Sequence, residues 1–167
     1  SKKLSKLIDH ISVSFGSIKI DLRKELLKKY SLKKTNEILT KTGPRFLKIA
    51  SKKENTLTLA IKSFNKLKKY KSQVKNLIFV TETPIMNFPG NSHLFLSKVN
   101  LDKKINLFDL NSGCSGFVDA LKVAKGLNGP TLIICSETYS KNIGNFSRSL
   151  STIFSDAATS FIYDRKR

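Results

Sequence analysis

Hydrophobic and polar positions alternate through residues 11–20, where Ile11, Val13 and Phe15 lead to Gly16 and then to Ile18 and Ile20. A period of two is that of a β-strand, and the glycine interrupts it. Asp21 is suited to cap a short helix carrying Leu22, Leu26 and Leu27, because its carboxylate can accept from the free N–H groups of a first turn. Thr35 is placed to cap another short helix with Ile38 and Leu39, which Gly43-Pro44 ends. From Thr56 the period lengthens. Leu57, Ala60, Ile61, Phe64 and Leu67 recur at helical spacing, and this stripe, opposite a lysine-covered face, predicts a helix from Thr56 to about Tyr70.

The second half reads differently. Leu77-Ile78-Phe79-Val80 is an apolar run of strand length, as expected for a strand covered on both faces. Pro84, Pro89 and Gly90 mark a loop, and Ser92 to Ser97 is helical. Leu107 to Leu110 is a strand, and Ser115 to Leu127 a helix with Phe117, Ala120, Leu121, Ala124 and Leu127 turned inward. Gly129-Pro130 ends it; Thr131 to Cys135 and Ser160 to Tyr163 are two further strands. Strands alternating with helices predict an α/β fold with a mixed, mostly parallel sheet layered with helices.

Charge changes this picture on one side only. The 167 residues carry a net charge of +19. Residues 1–76 hold 21 basic and 5 acidic side chains, and residues 77–167 hold 10 and 7. A basic half attracts an anionic partner, or is a solvated lysine surface. Only five of the basic residues are arginines (Arg23, Arg45, Arg148, Arg165 and Arg167), and none is interleaved with aromatic side chains, which argues against nucleic acid. No apolar run has the length of a membrane span, and the basic start lacks the apolar stretch of a signal peptide. With two cysteines and no disulfide framework, a cytoplasmic protein is expected. Two cysteines and two histidines without close spacing leave no zinc pattern.

The candidate chemistry lies in Phe108-Asp109-Leu110-Asn111-Ser112-Gly113-Cys114-Ser115-Gly116-Phe117. A strand runs into small residues, a cysteine and a helix. Cys114 then stands at a helix N-terminus, where free N–H groups and the dipole favour a thiolate, and small neighbours admit a substrate. A buried, inert cysteine fits the same residues from chemistry alone. Cys135, inside Leu132-Ile133-Ile134-Cys135, reads as inert, and His10 and His93 read as structural or exposed.

This segment resembles the active-site cysteine segment of β-ketoacyl-acyl carrier protein synthase III, of the thiolase superfamily. Four further stretches are similar to that family in the same order: Thr40-Lys41-Thr42-Gly43-Pro44-Arg45, Thr81-Glu82-Thr83-Pro84 with Phe88-Pro89, Ser136-Glu137, and Arg148 with Phe154-Ser155-Asp156-Ala157-Ala158. The chain departs from the family in having no tryptophan, with Glu37 at that position, Pro44 in place of isoleucine, and Ser155 and Ala157 in place of glycines. The resemblance implies a thiolase-like fold and an acyltransferase. Residues 1–167 would be its N-terminal, nucleophile half, with the C-terminal half and its condensing histidine and asparagine outside this chain. Cys114 would accept an acyl group from an acyl thioester. Lys41, Arg45 and Arg148 would lie toward coenzyme A, which is a substrate and not a resident cofactor. Phe154 and Phe88 would shape the acyl pocket, Phe88 across a dimer interface. The implied partners are acyl-coenzyme A, an acidic acyl carrier protein, and either a second copy or a separate C-terminal half. A non-catalytic scaffold that binds acidic carrier protein is the alternative.

Overall fold

A computed structural model describes residues 8–143 and 150–164. In chain order they form β1 (Ile8–Phe15), β2 (Ile18–Asp21), α1 (Leu22–Leu27), α2 (Leu32–Thr42), β3 (Phe46–Ile49) and α3 (Thr56–Asn65). There follow β4 (Asn76–Val80), α4 (Asn91–Lys98), β5 (Asn106–Leu110), α5 (Gly116–Gly126), β6 (Thr131–Glu137), α6 (Tyr139–Ile143) and β7 (Ala157–Tyr163). Five strands make one sheet in the order β1-β7-β6-β4-β5. β4 pairs in parallel with β5 and β6, whereas β7 runs antiparallel to both β6 and β1. The mixed sheet layered with helices is present, and its parallel part is confined to β4, β5 and β6. β2 and β3 form a separate antiparallel pair that carries α1 and α2 between its strands.

Every residue of β4 is buried, and its alternation divides the core in two. Leu77 and Phe79 face α3 and α4, packing with Ala60, Phe64 and Phe95. The rings of Phe64 and Phe79 meet that of Phe95 edge-on at 5.4 and 6.1 Å. Ile78 and Val80 face α5, packing with Ala120, Ala124 and Ile133. The result is three layers, with the β4–β6 strands in the middle.

Local chemistry explains where elements begin. Asp21 caps α1 as expected, accepting from Lys24 N–H. Thr35 does not cap α2. Ser31 does so, accepting from Lys34 N–H at 3.3 Å, and Thr35 turns its β-branched side chain into the interior, where its hydroxyl has no partner among the described residues. Asn55, not Thr56, caps α3 through a reciprocal pair with Thr58. Released from capping, the Thr56 hydroxyl donates to the Thr83 carbonyl at 2.7 Å and meets the Thr138 hydroxyl at 2.9 Å. α3 stops at Asn65; the Leu67 and Tyr70 N–H groups bond three residues back, and the chain tightens into a 3-10 helix at Lys68–Gln73. Leu67 still completes the buried stripe.

The alternation in β1 is real, but its serine row faces inward. Ser12 and Ser14 hydroxyls donate to the Ser63 and Leu59 carbonyls of α3, each at 2.7 Å. Ile11 and Phe15, on the opposite face, are 63% and 58% exposed. Phe117 is likewise less inward than its spacing suggests, at 44% exposed. The close contacts of α5 are made by the small side of Gly116, Ala120 and Ala124, and Phe117 leans on Phe161 of β7.

Asp156 fastens the β2–β3 pair to the main body. Fully buried, its carboxylate accepts from Ala50 N–H at 2.6 Å, from Ser140 N–H at 3.0 Å and from the Ser140 hydroxyl.

Candidate functional site

The C-terminal ends of β4, β5 and β6 lie side by side. In open α/β sheets the crevice beyond such ends is where ligands bind. β5 leaves the sheet at Leu110, and after Asn111 and Ser112 a single 3-10 turn, Gly113–Ser115, opens directly into α5. Cys114 occupies the middle of that turn and is exposed. Two glycines allow this geometry. Gly113 has φ of +52°, and a Cβ there would lie 2.5 Å from Glu82 Oε1. A Cβ on Gly116 would lie 2.5 Å from Val80 Cγ1, so only glycine lets α5 begin this close to β4. The Ser115 hydroxyl donates to Asp119 Oδ2 at 3.0 Å; this bond, with smaller contributions from Ser112 and Lys122, holds the Asp119 carboxyl below its usual range.

Two carboxylates reach this edge that the sequence reading treated only as parts of family-like stretches. Glu137, the last residue of β6, accepts from Glu82 N–H at 2.7 Å and from the Thr83 and Thr81 hydroxyls at 2.6 and 3.3 Å. Burial pushes its carboxyl up in spite of these donors. Thr83 in turn accepts from Thr138 N–H at 2.9 Å, so the loop after β4 is fixed to the end of β6. Glu82 is exposed, and its side chain lies against Gly113. The signal available in the sequence was an acidic residue shortly after each of two buried strands.

The remaining residues fall in different places. Cys135 lies on β6 under α5, beside an apolar cavity of about 210 Å³ shared with Ile11, Phe117 and Phe161. Burial, and then the charge of Glu137, push its thiol up to about 11, which keeps it protonated and unreactive at neutral pH. Arg45 lies far along the chain from Cys114, just before β3, and lines a cavity of about 420 Å³ with Arg23, Leu39, Gly43 and Pro44. Arg23 of α1 was not anticipated there. Lys41 is exposed in the last turn of α2. Arg148 lies outside the described residues. Phe154 stacks on Tyr139 with ring centres 5.1 Å apart. Phe88, on the loop after β4, is 90% exposed. His10 stacks on Tyr70, and His93 Nδ1 is 3.3 Å from the Ser92 hydroxyl on α4. Among the described residues no group of three or more histidines, cysteines and carboxylates is gathered as a metal site, and no helix is long and apolar enough to cross a membrane.

The arrangement has counterparts among known proteins. The family model of 3-oxoacyl-[acyl-carrier-protein] synthase III matches residues 108–167, a stretch that includes Cys114. β-Ketoacyl-[acyl-carrier-protein] synthase III of Fusobacterium nucleatum is 34% identical over 134 residues, covering 75% of this chain and 40% of the relative. A second such synthase from Bacillus cereus is 31% identical over 137 residues, covering 77% and 42%. A crystal structure of a 3-oxoacyl-(acyl-carrier-protein) synthase III superposes with a TM-score of 0.83 at 26% identity, over 95% of this chain and 50% of that one. The Thermus thermophilus enzyme gives 0.79 at 24% identity, covering 95% and 51%, which speaks for the fold. This chain therefore spans about half the length of these solved structures and less of the curated relatives. In sequence and in fold the chain is thus similar to β-ketoacyl-acyl carrier protein synthase III, with the same thiolase-like fold, and the match covers part of those proteins' length.

Proposed function

We propose that this chain is an acyltransferase that takes an acyl group onto Cys114 as the first stage of a condensing reaction. The observation that carries the proposal is the exposed Cys114 at the start of α5, beyond the ends of three adjacent parallel strands. The sulfur attacks the carbonyl carbon of an acyl thioester. The tetrahedral intermediate carries a negative oxygen, which the N–H groups of the α5 N-terminus are oriented to stabilise. Collapse expels the leaving thiol and leaves an acyl-cysteine.

In the second stage a malonyl-carrier protein loses carbon dioxide, and its carbanion attacks the acyl-cysteine to give a 3-oxoacyl product for fatty acid or related acyl biosynthesis. We assign this stage to the chain acting together with a part corresponding to the unmatched length of its relatives. Coenzyme A enters as a thioester substrate. The Arg23–Arg45 cavity favours its phosphates, since guanidinium groups bind phosphate oxygens in pairs; Lys41 and Arg148 belong to the same proposal. Phe154 and the outlying Phe88 would line the acyl chain, Phe88 by reaching into a partner copy. The basic surface suits an acidic acyl carrier protein.

The test is intact-protein mass spectrometry after incubation with acetyl-coenzyme A or acetyl-carrier protein. One acyl mass is expected on the wild type and none on Cys114→Ala. Carrier-protein binding that survives Cys114→Ala, with no acylation of the wild type, would replace this reading with the scaffold.

A further inference from the structure

Glu137 is a half-buried carboxylate that the acyl transfer proposed above does not use. It closes β6, and among the described residues no lysine or arginine pairs with it. Its oxygens are taken up by the loop after β4 instead. Oε1 accepts from Glu82 N–H at 2.7 Å; Oε2 accepts from the Thr83 hydroxyl at 2.6 Å and from the Thr81 hydroxyl at 3.3 Å. Thr83 is also fixed from behind. Its hydroxyl accepts from Thr138 N–H at 2.9 Å, and its carbonyl accepts from the Thr56 hydroxyl at 2.7 Å. A carboxylate partly withdrawn from water and without a counter-ion is costly unless such donors satisfy it, so these bonds define where the loop lies.

The loop so held meets the cysteine turn on one side and carries Phe88 on the other. Thr81 N–H donates to the carbonyl of Leu110, the last residue of β5, at 3.1 Å. The Glu82 side chain lies against Gly113, which precedes Cys114. Further along, Ile85 N–H donates to Asn91 Oδ1 at 3.3 Å, and the exposed Phe88 lies in the short span that this bond closes.

Resting on the acyl-transfer reading, we infer that Glu137 is a positioning residue: through Glu82 N–H, Thr81 and Thr83 it sets the loop after β4 against the cysteine turn, and so sets where an acyl thioester meets Cys114. In this role it neither exchanges a proton nor touches the thioester. What it supplies is an acceptor in the right place. A glutamine keeps one oxygen for Glu82 N–H, and its amide N–H groups can donate to the hydroxyls, which accept as readily as they donate. An alanine leaves Glu82 N–H with nothing to donate to.

Glu137→Ala and Glu137→Gln are therefore compared with wild type in the full chain, by hydrogen–deuterium exchange at the Glu82 amide and by the rate of acetyl transfer to Cys114 over a range of acetyl-coenzyme A concentrations. We expect Glu137→Ala to exchange about 10-fold faster or more and to lower the maximal transfer rate by on the order of 10- to 10²-fold. The half-saturating concentration should hold, since the Arg23–Arg45 cavity is untouched, and Glu137→Gln should recover most of both losses. Should Glu137→Ala fail to fold, Glu137→Asp, one methylene short of its three donors, takes its place with the same expectations. Exchange at the wild-type rate in Glu137→Ala would overturn the inference, as would wild-type transfer beside faster exchange. Glu137→Gln as slow in transfer as Glu137→Ala would also overturn it, by showing that the charge and not the placement matters. A wild type that takes no acetyl would overturn the acyl-transfer reading, while faster exchange in Glu137→Ala would still uphold the hold of Glu137 on the loop.

Discussion

Replacing Gly113 by alanine probes the cysteine turn at its tightest point. Gly113 has φ of +52°, a region that costs an L-residue about 1–2 kcal/mol. The new Cβ would also stand 2.5 Å from Glu82 Oε1 and 3.1 Å from Glu82 Cδ. The carboxylate must withdraw, but it is the far end of an exposed, flexible side chain, so this movement adds little to the cost. The whole substitution should cost about 1–2 kcal/mol, or about 2–8 °C in Tm for a chain of this size. Urea unfolding with a thermal melt checks the number. A loss of stability below roughly 0.5 kcal/mol would show that the turn is not held in the left-handed conformation.

Asp156→Ala should cost about 3 kcal/mol or more, because two buried N–H groups and a hydroxyl lose one acceptor together; denaturant unfolding measures it. Burial penalises the Glu54 carboxylate, yet Lys62, Ser17 and Ser51 hold its pKa well below the ordinary value of 4.5. Its stabilisation is therefore present above pH 4.5 and lost as pH falls from there toward the folded value, and Glu54→Gln should flatten the acid limb of a Tm–pH curve. The chain should self-associate through the open apolar face that includes Ile11 and Phe15. Sedimentation at micromolar concentration should show species larger than a monomer that Ile11→Lys with Phe15→Lys dissolves; a clean wild-type monomer would contradict this.

Elements defined by local chemistry were legible. The Asp21 cap, the α3 stripe and the buried β4 run each announce themselves within a few residues, and the strand–glycine–cysteine–helix order located the candidate site. What long-range pairing decides was not legible. β1 joins the sheet by pairing with β7 from Ile8 opposite Tyr163 to Phe15 opposite Ala157, a partner strand far along the chain, and this antiparallel edge gives the sheet fewer parallel neighbours than strand–helix alternation suggests. β3 was missed because in Phe46-Leu47-Lys48-Ile49 only Leu47 is buried, which leaves a weak alternation. Neighbouring cap-competent residues, Ser31 with Thr35 and Asn55 with Thr56, differ in which side chain the core takes, and the tertiary fold settles that choice. The same holds at the site: Glu82 meets Gly113, and Arg23 meets Arg45, only once the chain is folded.

The central claim is that Cys114, and not Cys135, accepts an acyl group. Peptide mapping after brief incubation with acetyl-coenzyme A tests it most directly, since both thiols are read in one sample. The account predicts an acetyl mass on the peptide carrying Gly113-Cys114-Ser115 and none on the peptide carrying Cys135, whose thiol is pushed up to about 11. Acetyl on Cys135, or on neither cysteine, would contradict it.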